Sequence, residues 1–149
     1  MFVDGITNLM PIAEMFLIRP KILNEENLEI FLKIIINILK NRNYNIESAK
    51  EYNLFQILSL FFEKYPNHLF TEKILGNFRD ICKTIFAIND ETLGSSFFEY
   101  LFLNEKIVSK YSENIQNKLW MEVLLFCQSD LQQMEAFMNI NRICLIVRF

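Results

Sequence analysis

The chain has 149 residues, 52% of them apolar and fifteen of them Phe, with three Gly and three Pro. That composition favours a well-filled core and long helices over turn-dependent β architectures. Fifteen basic against eighteen acidic residues leave a net charge of −3. The basic ones are scattered, as at Lys21, Lys33, Lys40, Arg42, Lys50, Lys64 and Lys73, which argues against nucleic acid or an anionic membrane surface as a partner.

In chain order, Met1 to Pro20 carries prolines at 11 and 20 and reads as one or two short helices. Asn24 is a good N-cap, Glu25 and Glu26 follow at the positive end of the dipole, and an apolar run extends to about Lys40. Leu28, Phe31, Leu32, Ile35, Ile38 and Leu39 form one stripe; Ile34 and Ile36 lie outside it, so this helix is expected to be buried on two sides. The next helical pattern is interrupted at Tyr52-Asn53, resumes through Leu54, Phe55, Ile57, Leu58, Phe61 and Phe62, and stops at Tyr65-Pro66. Thr71 caps a run through Ile74, Leu75, Phe78, Ile81, Cys82, Ile85 and Phe86, and Ala87-Ile88-Asn89-Asp90 is the expected turn.

A shorter helix is expected from about Thr92 to Leu103, carrying Phe97, Phe98, Leu101 and Phe102, with Gly94 costing it about 1 kcal/mol relative to Ala. Ser112 or Asn114 opens another, with Leu119, Trp120, Val123, Leu124 and Cys127 on its apolar side. Ser129 and Gln132 have capping-box spacing for a short helix ending near Asn139 or Asn141. A final apolar helix, Ile143 to Phe149, has no polar cap, so the chain reads as a segment of a much larger protein whose uncovered end drives self-association. The expected fold is all-α, an armadillo/HEAT-like stack of about seven or eight helices forming one domain over residues 1–149, an α-solenoid fragment. Phe31–Lys40 and Leu54–Lys64 share an aromatic-then-aliphatic pattern ending in Lys, the one echo of an internal repeat.

Chemistry has few candidates. His68, the only histidine, sits in the loop Pro66-Asn67-His68 and reads as a solvated loop residue. The carboxylate pairs Glu25-Glu26 and Asp90-Glu91 lie at helix starts, where the dipole explains them better than acid-base work. Cys82, Cys127 and Cys144 lack CxxC spacing and read as buried thiols. Catalytic, cofactor and metal residues are therefore all expected to be none: no GxSxG, phosphate loop, HExxH or acidic calcium loop occurs. Trp120 suits an interface anchor but more simply a core position, and Met134, Phe137 and Met138 suit an adaptable surface but more simply an intramolecular neighbour. No stretch reaches the ~20 apolar residues of a membrane span, and Met1–Met10 does not read as a signal peptide, since Asp4 replaces a basic start and no long apolar core follows.

Leu54-Phe55-Gln56-Ile57-Leu58-Ser59-Leu60-Phe61-Phe62-Glu63-Lys64 sets Phe and aliphatics before a terminal Glu-Lys, and Phe70-Thr71-Glu72-Lys73-Ile74-Leu75 follows as a helix start. Further on stand Leu103-Asn104 with Ile107, Ile115-Gln116 with Leu119-Trp120, and Asn141-Arg142-Ile143-Cys144-Leu145-Ile146-Val147-Arg148-Phe149. In this order, from about Ile30 to Phe149, they resemble the armadillo-like helical region upstream of the BEACH domain in neurobeachin-type proteins. Glu105 stands where that family has Pro, Val108 where it has Trp, and Tyr52-Asn53 where Gly-Gly is common, although Asn53 can adopt the left-handed conformation. The resemblance transfers no functional residue. It implies a non-enzymatic cytoplasmic scaffold of vesicle trafficking and membrane dynamics, peripheral to vesicle or organelle membranes by indirect association. Its partners would be neighbouring helical repeats of the same chain and unidentified proteins. The alternative is a free-standing helical enzyme or small-ligand domain, marked by a deep pocket with convergent polar groups.

Overall fold

A computed structural model describes residues 5–41 and 43–138. Nine α-helices and no strand occur among the described residues: α1 (Leu9–Ile18), α2 (Glu25–Asn41), α3 (Asn43–Glu51), α4 (Leu54–Phe62), α5 (Glu72–Ile88), α6 (Glu91–Phe97), α7 (Glu105–Val108), α8 (Glu113–Ser129) and α9 (Leu131–Phe137). The all-α expectation holds. The number exceeds seven or eight because α3 and α4 are separate helices and the single turn α7 has no apolar periodicity to announce it. The final apolar helix and Cys144 lie outside the described residues.

Local chemistry sets most boundaries. Pro11 falls in the first turn of α1, where its missing N–H costs nothing, so it does not break the helix. The Asn24 side chain accepts from the Asn27 N–H at 2.9 Å and Thr71 from the Ile74 N–H at 3.4 Å, as their capping chemistry requires. Asn53 is left-handed with φ 50°, dividing α3 from α4, and Asn89 closes α5 with φ 56°. α5 therefore runs two residues into the expected turn.

Asp90 opens α6 by accepting from the Leu93 N–H at 2.9 Å, as the reading of Asp90-Glu91 at a helix start requires. One cap differs from expectation: Asp130, not Ser129, opens α9 by accepting from the Gln133 N–H at 3.0 Å. The carboxylate beside the hydroxyl is the stronger acceptor for the dipole's positive end; the Ser129 hydroxyl instead donates back to the Phe126 carbonyl. α4 ends at Phe62, three residues before Tyr65, because a tight turn carries the Tyr65 phenol inward to donate to the Ala13 carbonyl at 3.1 Å. Past Phe97, α6 widens into a π-helical stretch, Phe98–Phe102, in which the Leu103 N–H reaches the Phe98 carbonyl.

The three 17-residue helices α2, α5 and α8 lie side by side. Between α2 and α5, Glu29 pairs with Lys73 near the starts, and Leu39 shares the lining of one cleft with Thr84 and Ile88 near the ends. Between α5 and α8, Glu72 pairs with Lys118, Arg79 with Glu122, and Phe86 stacks on Phe126 with centroids 5.0 Å apart. Contacts that advance together along both helices mean that all three run parallel. A second series packs α1 on α4, α4 on α6 and its π-helical continuation, and α6 on α9. Edge-to-face rings join the series: Phe16 to Phe31, Phe31 to Phe62, Phe62 to Phe78, and Phe86 to Phe98, at 5.8 to 6.4 Å.

The parallel helices share a register. Leu23-Asn24-Glu25, Phe70-Thr71-Glu72 and Tyr111-Ser112-Glu113 begin them, 47 residues apart (24 to 71) and then 41 (71 to 112). Seven residues past each cap stand Phe31, Phe78 and Leu119, and eleven past it Ile35, Cys82 and Val123, all at most 2% exposed. Inter-unit hydrogen bonds keep the same spacing: Lys50 to Asp90 spans 40 residues, Arg79 to Glu122 43, and Gln133 to the Phe86 carbonyl 47. The echo between Phe31–Lys40 and Leu54–Lys64 is not this repeat, because those stretches fall in different series.

Burial of α2 extends beyond the stripe that holds fully buried Ile35 to Ile36, 8% exposed and about 100° round the helix from it, while Ile34 on the other flank is half-buried. Gly94 is not merely a weak helix former, since a Cβ there would penetrate the Phe137 ring. Ile35→Asp should therefore lose about 3 kcal/mol or more of stability in denaturant unfolding, from about 1.5–3 of burial plus the cost of a buried charge. Gly94→Ala should cost about 1–3 kcal/mol by overpacking despite Ala's better helix propensity, and Phe137→Leu in the same chain should recover part of that loss.

Candidate interaction surface

The parallel arrangement brings the polar flanks of α2, α5 and α8 to one side, where they line an open groove of about 700 Å³. Glu29 and Lys33 come from α2, Glu72, Lys73, Arg79 and Asp80 from α5, and Lys118 and Glu122 from α8, four acids and four bases. Three pairs cross the helix junctions: Lys73 Nζ lies 2.6 Å from Glu29, Lys118 Nζ 2.6 Å from Glu72, and Arg79 Nη1 3.1 Å from Glu122. Within α2, Lys33 Nζ lies 2.7 Å from the Glu29 carboxylate. The hydrogen bonds from Lys33 and then Lys73 hold the Glu29 carboxyl below its ordinary value, and the Glu29 bond raises Lys73.

Gly76 forms part of the lining, and a Cβ there would meet only Arg79 Nη2 at 3.9 Å. Arg79 Nε is buried without a hydrogen-bond partner among the described residues, with the Asp80 carboxylate 3.9 Å away. A groove of equal and interleaved charge has no basic excess for phosphate and fits a protein face of mixed charge better.

Elsewhere, titration shifts trace to packing and capping. Burial raises the Cys82, Cys127, Tyr65 and Tyr111 groups. Asp90 is pushed up by partial burial but pulled further down by the Lys50 ammonium at 2.8 Å and the Leu93 N–H, so its carboxyl sits below the usual value. Lys50 rises correspondingly, through Asp90 and then Glu47.

The sequence candidates are dispersed. His68 is exposed in the 3-10 turn Asn67–Leu69. Glu25 and Glu26 occupy the first turn of α2, with Glu25 4.0 Å from Lys73, and Asp90 works as a cap. Trp120 is half-buried against the core. Met134, Phe137 and Met138 are buried, Phe137 against the rings of Phe86 and Phe98, so their partner is intramolecular. Leu124, expected on the apolar side of α8, is 47% exposed. Among the described residues no helix is long and apolar enough to cross a membrane, and no cluster of His, Cys, Asp or Glu is placed to hold a metal. The groove was missed because its residues are ordinary surface charges; the recurring aromatic-or-Leu, cap, Glu triplets were the available signal.

Asp90→Ala removes both cap and ion pair and should cost about 0.5–2 kcal/mol, whereas Asp90→Asn keeps the cap and should cost less. Because the folded carboxyl titrates below its unfolded value, this stabilisation is present above that value, near 3.8, and is lost as pH falls through the lower folded one. Thermal melts of wild type and Asp90→Asn from pH 7 to pH 2 should converge at the acid end. Comparison of the chain with protein-family profiles, curated proteins and solved structures gives no match.

Proposed function

We propose that the chain is a non-enzymatic scaffold segment of a BEACH-type protein, an armadillo-like α-solenoid fragment that acts as helical spacer and protein-interaction platform in vesicle trafficking and membrane dynamics. The observation that carries this reading is the parallel row α2, α5 and α8, with starts 47 and 41 residues apart. Armadillo and HEAT units run to about 40–47 residues, and in such stacks each unit touches mainly its neighbours. The order of motifs from Ile30 to Phe149 supplies the family. Titratable groups with displaced pKa values answer to ion pairs, caps and burial, which supports a surface that binds over one that reacts.

On this reading the protein works in the cytoplasm, peripheral to vesicle or organelle membranes by indirect association. Its partners are neighbouring helical repeats of the same chain and further proteins that use the mixed-charge groove. Sequencing the full-length transcript should reveal a pleckstrin-like and a BEACH module downstream of Phe149. A transcript that encodes a stop after Phe149 would remove the family assignment.

A further inference from the structure

A second open groove, of about 420 Å³, lies on the other series of helices, between α4, the π-helical stretch and α7. Its wall on α4 follows one helical strip, Gln56, Leu60 and Glu63, at spacings of four and three. Leu60 sits in the middle of that strip and is 56% exposed. Tyr100 and Leu103, both half-buried, stand on the facing wall. The middle of the groove is therefore apolar and open to water, an arrangement that marks a contact surface.

Hydrogen bonds fix the two walls relative to each other. The Asn104 amide donates to the Tyr100 carbonyl at 2.9 Å and to Glu63 Oε1 at 3.1 Å, and Lys106 Nζ lies 3.3 Å from Glu63 Oε2. Both Glu63 oxygens are thus engaged in joining α4 to α7, and Lys106 answers its charge. Glu99 and Glu105 complete the charged lining, so that three acids stand against one base among the described residues, a balance of −2. The groove of α2, α5 and α8, with four acids and four bases, has no such excess.

We propose that the groove of α4, the π-helical stretch and α7 takes a basic amphipathic helical segment of a partner protein. Its apolar side chains cover Leu60 and Leu103, and its Lys or Arg side chains reach Glu99 and Glu105. Charge complementarity selects this class, because an uncharged apolar segment leaves the acidic excess unanswered and an acidic one is repelled. A helix supplies both kinds of contact at once, since side chains at i, i+3 and i+4 make an apolar ridge while the flanking positions carry charge. The inference stands apart from the scaffold reading, because it needs neither the BEACH family nor the mixed-charge groove.

The probe is a fluorescein-labelled helical peptide of Leu and Lys in amphipathic order, compared with a Leu and Glu peptide of the same pattern. Each is titrated with the full chain and followed by anisotropy; the Leu/Lys peptide should bind and the Leu/Glu peptide should not. Leu60→Gln should weaken binding about tenfold by removing the central apolar contact. Glu99→Gln/Glu105→Gln should weaken it about as much and abolish most of its dependence on salt. Glu72→Gln/Glu122→Gln, in the other groove, should leave the affinity unchanged. Equal affinity in wild type and both variants of the α4 groove would overturn the proposal, as would binding lost only with Glu72 and Glu122. So would equal binding of the two peptides, or no binding of the Leu/Lys peptide. Self-association of the free chain that Leu60→Gln abolishes would put a second copy in the groove and overturn it as well.

Discussion

α5 is the helix on which the rest depends, because it has α2 along one flank, α8 along the other and the ring-bearing helices α4 and α6 against its inner face. On the enclosed faces of such a helix, polar side chains cannot reach water. Its buried Asn77 and Thr84 fold back instead, the amide donating to the Lys73 carbonyl at 2.9 Å and the hydroxyl to the Asp80 carbonyl at 2.9 Å. Each polar group so settled leaves the flank smooth enough for α2 to lie close. Of the charges that remain, Glu72, Lys73 and Arg79 stand at the rim, where partners on α2 and α8 meet them without leaving solvent altogether.

Helix existence was legible because fifteen Phe and a long series of aliphatics fall at helical intervals. Boundaries were legible where one side chain decides them, as at Asn24, Thr71 and Asn53. They slipped where two capping residues compete: Asp130 lies one beyond Ser129, and the carboxylate takes the cap. Gly94 shows the reverse problem. Its helical cost is local and readable, but its reason lies in Phe137, more than forty residues away.

The shared register of α2, α5 and α8 was hidden for a different reason. Only a few positions per unit do the same physical work, and they do it with different residues: Phe31, Phe78 and Leu119 fill one layer, Ile35, Cys82 and Val123 the next. Between these fixed points the units diverge, one inserting α3, another the π-helical stretch and α7. Apolar pattern alone therefore paired the wrong segments, α2 with α4, which belong to opposite series. The mixed-charge groove has no motif at all; it exists because three helices run parallel and place unremarkable lysines and glutamates opposite one another.

The even spacing of those junctions has a mechanical meaning. Side-chain hydrogen bonds between units bridge 40 to 52 residues, from Lys50–Asp90 to Tyr65–Ala13. Successive bridges overlap, 50–90 with 63–104 and 63–104 with 79–122, so no stretch of chain between them is held by one junction alone. A load must therefore break several of them together before any of that chain is released.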